Sequence, residues 1–139
     1  MFKHILVPTD LTERSLHALE IAIKLACGES AQVTLLHVIE VIQDTESDDF
    51  KEFYEKLGRR AGRKMEQMVG RYPQSASTIA MQITYGRRVR EIINFASDQA
   101  IDLIILSSHK VDVDNTLQGW GTISYKVGIL SRCPVMLVK

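Results

Sequence analysis

The sequence predicts an α/β fold, a five-stranded parallel sheet with helices on both faces. Three observations carry that prediction. Short apolar runs (HILVP, QVTLLHVI, TIAMQIT, IDLIIL, PVMLV) alternate with longer stretches whose apolar residues recur every three or four positions. The runs at 32–39 and 101–106 are apolar almost throughout, as in strands covered on both faces of a parallel sheet. No two runs are joined by a short Asn-Gly-type turn, so the pattern lacks hairpins and reads as repeated β-α units. At 139 residues, with 45% hydrophobic and 24% charged, the chain has the length of one domain and an ordinary globular balance.

The elements follow in order. Residues 3–8 (KHILVP) are the first strand, closed by Pro8. The loop Pro8-Thr9-Asp10-Leu11-Thr12 leads to a helix capped by Thr12, with Leu16, Leu19, Ile23 and Ala26 as its apolar stripe. Gly28 ends it in a left-handed turn. The second strand is 32–39, and the acidic loop 40–49 follows. A long helix over about 50–71 turns Phe50, Phe53, Tyr54, Leu57, Ala61, Met65 and Met68 inward. Gly58 and Gly62 lower its helix propensity and permit close packing on the sheet. The third strand, 78–84, alternates apolar and polar residues, so one of its faces is less buried. A helix over about 88–98 has Val89, Ile92, Ile93 and Ala96 inside. Strand 101–106, the polar loop 107–118, a helix opened by Thr122, and the strand 133–138 complete the chain.

Charge and cysteines exclude several classes. Seventeen Lys and Arg balance 17 Asp and Glu, so broad electrostatic capture of nucleic acid is not expected. Locally the balance is uneven. Asp44, Glu46, Asp48 and Asp49 precede the long helix, and Arg59, Arg60, Arg63 and Lys64 lie on it, with Glu55–Arg59 as an expected i,i+4 pair. Arg87, Arg88 and Arg90 crowd the start of the next helix, where the macrodipole disfavours cations. Either an anion or acidic partner offsets that, or the face is simply solvated. No apolar run reaches membrane-spanning length and the short first run is no signal-peptide core, so a cytoplasmic protein without membrane contact is expected. Cys27 and Cys133 lack a zinc-ligand or CxxC context and read as free thiols.

In an open parallel sheet, ligands bind beyond the carboxyl ends of the strands, where the strand order reverses. The loops after strands 1, 2 and 4 are therefore the candidates. The last holds Ser107, Ser108, His109 and Lys110, then Gly119, Gly121 and Thr122 at a helix start. Such a loop presents backbone N–H groups and a favourable dipole to an anion. It also reads as a plain polar crossover with a capping threonine. No GxxxxGK[ST] and no GxGxxG follow a strand, which removes P-loop NTPases and ordinary dinucleotide enzymes. Ser107, Ser108 and His109 are adjacent and cannot converge as a triad.

The opening Ile5-Leu6-Val7-Pro8-Thr9-Asp10 with Ala18-Leu19 resembles that of universal stress proteins. So do Leu36-His37-Val38, the run Asp102–His109 and the closing Cys133-Pro134-Val135-Met136-Leu137-Val138. The resemblance implies the strand order 3-2-1-4-5 and a homodimer paired through the last strand, 134–138. It also implies two branches, one binding ATP through Gly-x2-Gly-x9-Gly-Ser/Thr after strand 4. Here Ser107 and Lys110 stand at the first two glycines, and Gly121-Thr122 matches the closing pair with ten residues between. Lys110 either compensates electrostatically or blocks the pocket. The strand-3 Gly-x-Pro is Gly86-Arg87-Arg88. The implied nucleotide site is Pro8, Thr9, Asp10, Val38, Ile39, Ser107, Ser108, His109, Lys110, Gly121 and Thr122. Asp10 would lie near ribose and phosphates, or serve as a cap or turn residue. Val38 and Ile39 would meet adenine, or be core. His37 reads as a satisfied core or dimer-face histidine.

The expected function is adenine-nucleotide sensing in a stress response, with ATP or AMP, with or without Mg, in a modified phosphate loop. The alternatives are a non-binding homodimer acting through protein partners and, third, a slow ATPase. No general base or nucleophile pair is legible, so catalysis is not expected.

Overall fold

The computed structural model describes residues 1–42, 48–108 and 122–139. The elements run β1 (His4–Pro8), α1 (Arg14–Cys27), β2 (Gln32–Glu40), α2 (Asp48–Gly70), a 3-10 turn (Ala76–Thr78), β3 (Ile79–Gly86), α3 (Arg88–Asp98), β4 (Leu103–Ser107), α4 (Ile123–Leu130) and β5 (Val135–Val138). The five strands form one parallel sheet in the order β3-β2-β1-β4-β5. This is the order that the resemblance implied.

The pleat divides each apolar run between two cores. Ile5 and Val7 join Ala18, Leu19 and Ala22 of α1 and Met65, Met68 and Val69 of α2. Leu6, between them, joins Ile92 and Ala96 of α3 and Val127 of α4. β2 and β4 divide in the same way, with Val33, Leu35, Leu103 and Ile105 on the first side and Leu36, Val38, Ile104 and Leu106 on the second. Burying a Leu or Ile side chain fully contributes about 1.5–3 kcal/mol, so unbroken apolar strands require helices on both faces.

Several local expectations are corrected. Thr12 does not cap α1: the cap position is Glu13, in helical conformation and without a side-chain cap bond. The Thr12 amide and hydroxyl donate instead to Asp10 Oδ1. Gly28 continues right-handed with φ −76°, and the left-handed residue is Ser30, with φ 54°. In α2, Ala61, Met65 and Met68 are buried, but Phe50 and Phe53 are 42% and 53% exposed. The helix has 23 residues and β3 has 8, about 34 Å against about 26 Å, so the helix outruns the strand that it covers. Gly58 does allow close packing, since a Cβ there would lie 2.4 Å from the Tyr85 hydroxyl oxygen. Glu55 and Arg59 form no ion pair with each other. Among the described residues no helix is long and apolar enough to cross a membrane.

Candidate functional site

β1 has β2 on one side and β4 on the other, so the chain's winding reverses between β1 and β4. A cleft of about 300 Å3 opens there, at the carboxyl ends of the strands. Six residues singled out from the sequence line it: Pro8, Thr9, Asp10, Val38, Ser107 and Thr122. Leu36, Ile92 and Leu106 add an apolar floor, and Ser15, Arg88, Ile123 and Ser124 complete the wall.

The β1–α1 loop is held by a dense hydrogen-bond set. The Thr9 amide donates to the Leu36 carbonyl at 2.8 Å, extending the ladder one step past Pro8. The Ser15 hydroxyl donates to the Thr12 carbonyl at 2.7 Å, so its one proton is used. In the 2.6 Å pair between Thr9 Oγ1 and Ser15 Oγ, Thr9 is therefore the donor. Thr9 Oγ1 in turn accepts from the Leu11 amide at 3.0 Å. Leu11 sits at φ 68°, a left-handed conformation that costs a non-glycine residue about 1–2 kcal/mol. The hydroxyl bond and the packing of Leu11 on the core hold it there.

Asp10 is shaped by the same turn. Burial pushes its carboxyl pKa up, but the Thr12 hydroxyl and amide, its own amide and the Arg14 charge outweigh that, and the net shift is downward. Asp10 thus stays ionised at the mouth of the cleft. Beneath it, His37 Nδ1 lies 2.8 Å from the Thr9 carbonyl oxygen. A carbonyl only accepts, so Nδ1 carries the proton. Burial pushes the His37 pKa down, and Arg88 adds to this; the Thr9 bond and Asp10 oppose it without reversing it. His37 is thus a satisfied histidine that ties β2 to the loop.

On the opposite wall, the Ser107 hydroxyl donates to the Arg14 carbonyl at 3.0 Å, joining the end of β4 to the first turn of α1. Thr122 is the N-cap of α4 and accepts from the Tyr125 amide at 3.4 Å. The α4 N-terminus therefore faces the cleft with its positive dipole end. Arg88, the first residue of α3, pairs with Glu40 at 3.9 Å and lines the cleft. One of the three crowded arginines thus has an acidic partner within the chain.

The remaining candidates are placed elsewhere. Ile39 is buried on the sheet face opposite Val38 and does not line the cleft, because successive strand residues point to opposite sides. Ser108 is buried, and its amide donates to the Val138 carbonyl at 2.8 Å, away from the cleft wall. His109, Lys110 and Gly121, with Trp120, lie outside the described residues. Leu36, Ile92 and Leu106 escaped the sequence reading because a cleft floor has the same apolar signature as a core. Among the described residues no three His, Cys, Asp or Glu side chains group as a metal site. The arrangement suits a flat apolar ring on the floor, joined to a polar, anionic tail at the rim.

A parallel sheet in this order, with a cleft at its switch point, is the adenine-nucleotide α-hydrolase-like class of α/β fold. The chain belongs to the universal stress protein family, which it matches over residues 1–139. It is similar to universal stress protein YxiE of Bacillus subtilis, at 28% identity over 152 residues and all of both chains. It is also similar to universal stress protein MJ0577 of Methanocaldococcus jannaschii, at 29% identity over all of this chain and 96% of that one. The solved MJ0577 structure superimposes with a TM-score of 0.79 at 30% identity, covering 100% and 96% of the two chains. A universal stress protein from Archaeoglobus fulgidus, solved in complex with dAMP, shares the fold at a TM-score of 0.69. It is 15% identical, with coverage of 100% and 98%.

Proposed function

We propose that the protein binds an adenine nucleotide, ATP or AMP, in this cleft, and acts as a sensor rather than a catalyst. The observation that carries the reading is the joining of two environments in one cleft. Leu36, Val38, Ile92 and Leu106 offer an apolar floor to a base, while Asp10 and the Ser107 oxygen offer acceptors to a sugar hydroxyl, and Thr122 with the α4 N-terminus offers contacts to an anion. Asp10, ionised beside an anionic tail, suits a ribose hydroxyl or a bridging Mg ion. The dAMP complex of the Archaeoglobus relative supports a nucleotide of this class.

Thermal shift and Trp120 fluorescence test it, with Mg-ATP, ATP alone and AMP. Ligand at 100 times its Kd raises stability by about 2.7 kcal/mol. A flat response to all three overturns the reading. Phosphate release followed over hours separates a sensor from a slow ATPase.

A second reading rests on Ser107 and Lys110, which replace the opening glycines of the phosphate motif. On it the protein binds no nucleotide and works through protein partners as a homodimer joined at 134–138. Met136 and Leu137 of β5, each 37% exposed on the sheet edge, support the dimer. Met136→Arg then gives a monomer by sedimentation, and an unchanged mass counts against pairing there.

A further inference from the structure

β5 is one edge of the sheet and β3 is the other. Natural edge strands are blunted by charges, prolines, bulges or shortness, because an open row of backbone groups pairs with any other strand. β3 has none of these devices. Its eight residues, IAMQITYG, include no Lys, Arg, Asp, Glu or Pro. Its pairing with β2 is unbroken from Ile79 to Gly86, so no bulge turns it aside. Among the described residues no other strand pairs with its outer edge. Met81 and Tyr85 alternate with Ile79 and Ile83 on the face under α2, yet they are 43% and 45% exposed.

We propose that β3 is a homotypic edge, pairing antiparallel with β3 of a second copy about a two-fold axis at Ile83. Directly opposite residues of an antiparallel pair share a face. An axis at Ile83 sets each Met81 against the Tyr85 of the other copy, so the exposed apolar side chains cover one another.

The helix above fits the same axis. α2 rests on both β2 and β3, and a Cβ at Gly62 would lie 4.0 Å from Ile83 Cδ1. An axis half a strand spacing outside β3, with α2 between β2 and β3, sets the two α2 axes about 9.6 Å apart, within the usual 8–10 Å of packed helices. Gly62 stands near the point of closest approach. Arg59 and Glu66 bracket it on the same side of the helix, seven residues apart. Both are exposed, and among the described residues neither has an ion-pair partner. Antiparallel packing about this axis brings each Arg59 to the Glu66 of the other copy. The charge pattern is self-complementary, and this selects a second copy of the chain as the occupant.

Sedimentation velocity from micromolar to near-millimolar concentration tests the pairing, in a Met136→Arg background that blocks the β5 edge. The expected result is a dimer in that background and a monomer after Met81→Lys is added, a surface change that leaves the core intact. Arg59→Glu alone weakens association about tenfold, and Arg59→Glu with Glu66→Arg restores it. Circular dichroism verifies that every variant is folded. A monomer at all concentrations in the Met136→Arg background overturns the proposal. So does a dimer that Met81→Lys leaves unchanged.

Discussion

Replacing Thr9 by Val keeps the side chain's shape and removes its hydroxyl. That hydroxyl accepts from the Leu11 amide at 3.0 Å and donates to Ser15 Oγ at 2.6 Å. Each bond is worth about 1 kcal/mol net, and leaving a partly buried amide without its acceptor adds to the loss, so the expected cost is about 2–3 kcal/mol. At about 2.1 cal/mol/K per residue, 139 residues give an unfolding entropy near 0.29 kcal/mol/K, and Tm falls by about 7–10 °C. Thr9→Ser keeps the hydroxyl and gives up one methyl, about 0.8 kcal/mol or about 3 °C. Scanning calorimetry of the three proteins near neutral pH reads the difference. A Val variant as stable as the Ser variant would show that the hydroxyl does not hold the loop, and that the left-handed Leu11 rests on packing alone. If the loop is held as described, the Val variant also loses nucleotide-induced stabilisation, because Asp10 no longer has a fixed place.

The His37 pKa is lowered in the folded chain, so its contribution to stability is complete above the ordinary value of 6.5 and is lost as pH falls through the folded value. Urea unfolding between neutral and mildly acidic pH should show this loss, with a slope from this one group of at most about 1.4 kcal/mol per pH unit. His37→Gln should remove that limb, and an unchanged limb would assign it to other groups. Gly86 has φ 150°, and a Cβ there would lie 2.5 Å from Glu91 Oε1. Gly86→Ala should cost about 1–3 kcal/mol in chemical denaturation, with only the steric part recovered by adding Glu91→Ala. Thr122→Ala removes the α4 cap and should cost about 0.5–2 kcal/mol, while Thr122→Ser should stay close to the parent; equal losses would mean that the hydroxyl does not cap the helix.

The strands were legible because a parallel strand is apolar on both faces and leaves an unbroken run, as at 32–39 and 103–106. Asp10, Val38, Ser107 and Thr122 were legible as a group because each stands at a strand end or helix start that the β-α order brings to one side of the sheet. Details that depend on angular phase were not. Val38 and Ile39 look alike in sequence, and the pleat alone sends the first to the cleft and the second away from it. Arg87, Arg88 and Arg90 are equally crowded, and the start of α3 at Arg88 decides which of them reaches Glu40 and the cleft. Phe50 and Phe53 have the spacing of core residues, but the helix they stand on is longer than the strand beneath it.

The alternation of elements, the two apolar faces of the sheet and the end of it where the site loops gather are thus properties of the sequence by itself, because they depend only on periodicity and order. Which side chains face the cleft was settled by the tertiary structure alone. So were the tie from His37 to Thr9 and the exposure of Met81 and Tyr85 on the apolar face of β3. Each depends on contacts between segments far apart in the chain, and no local pattern encodes them.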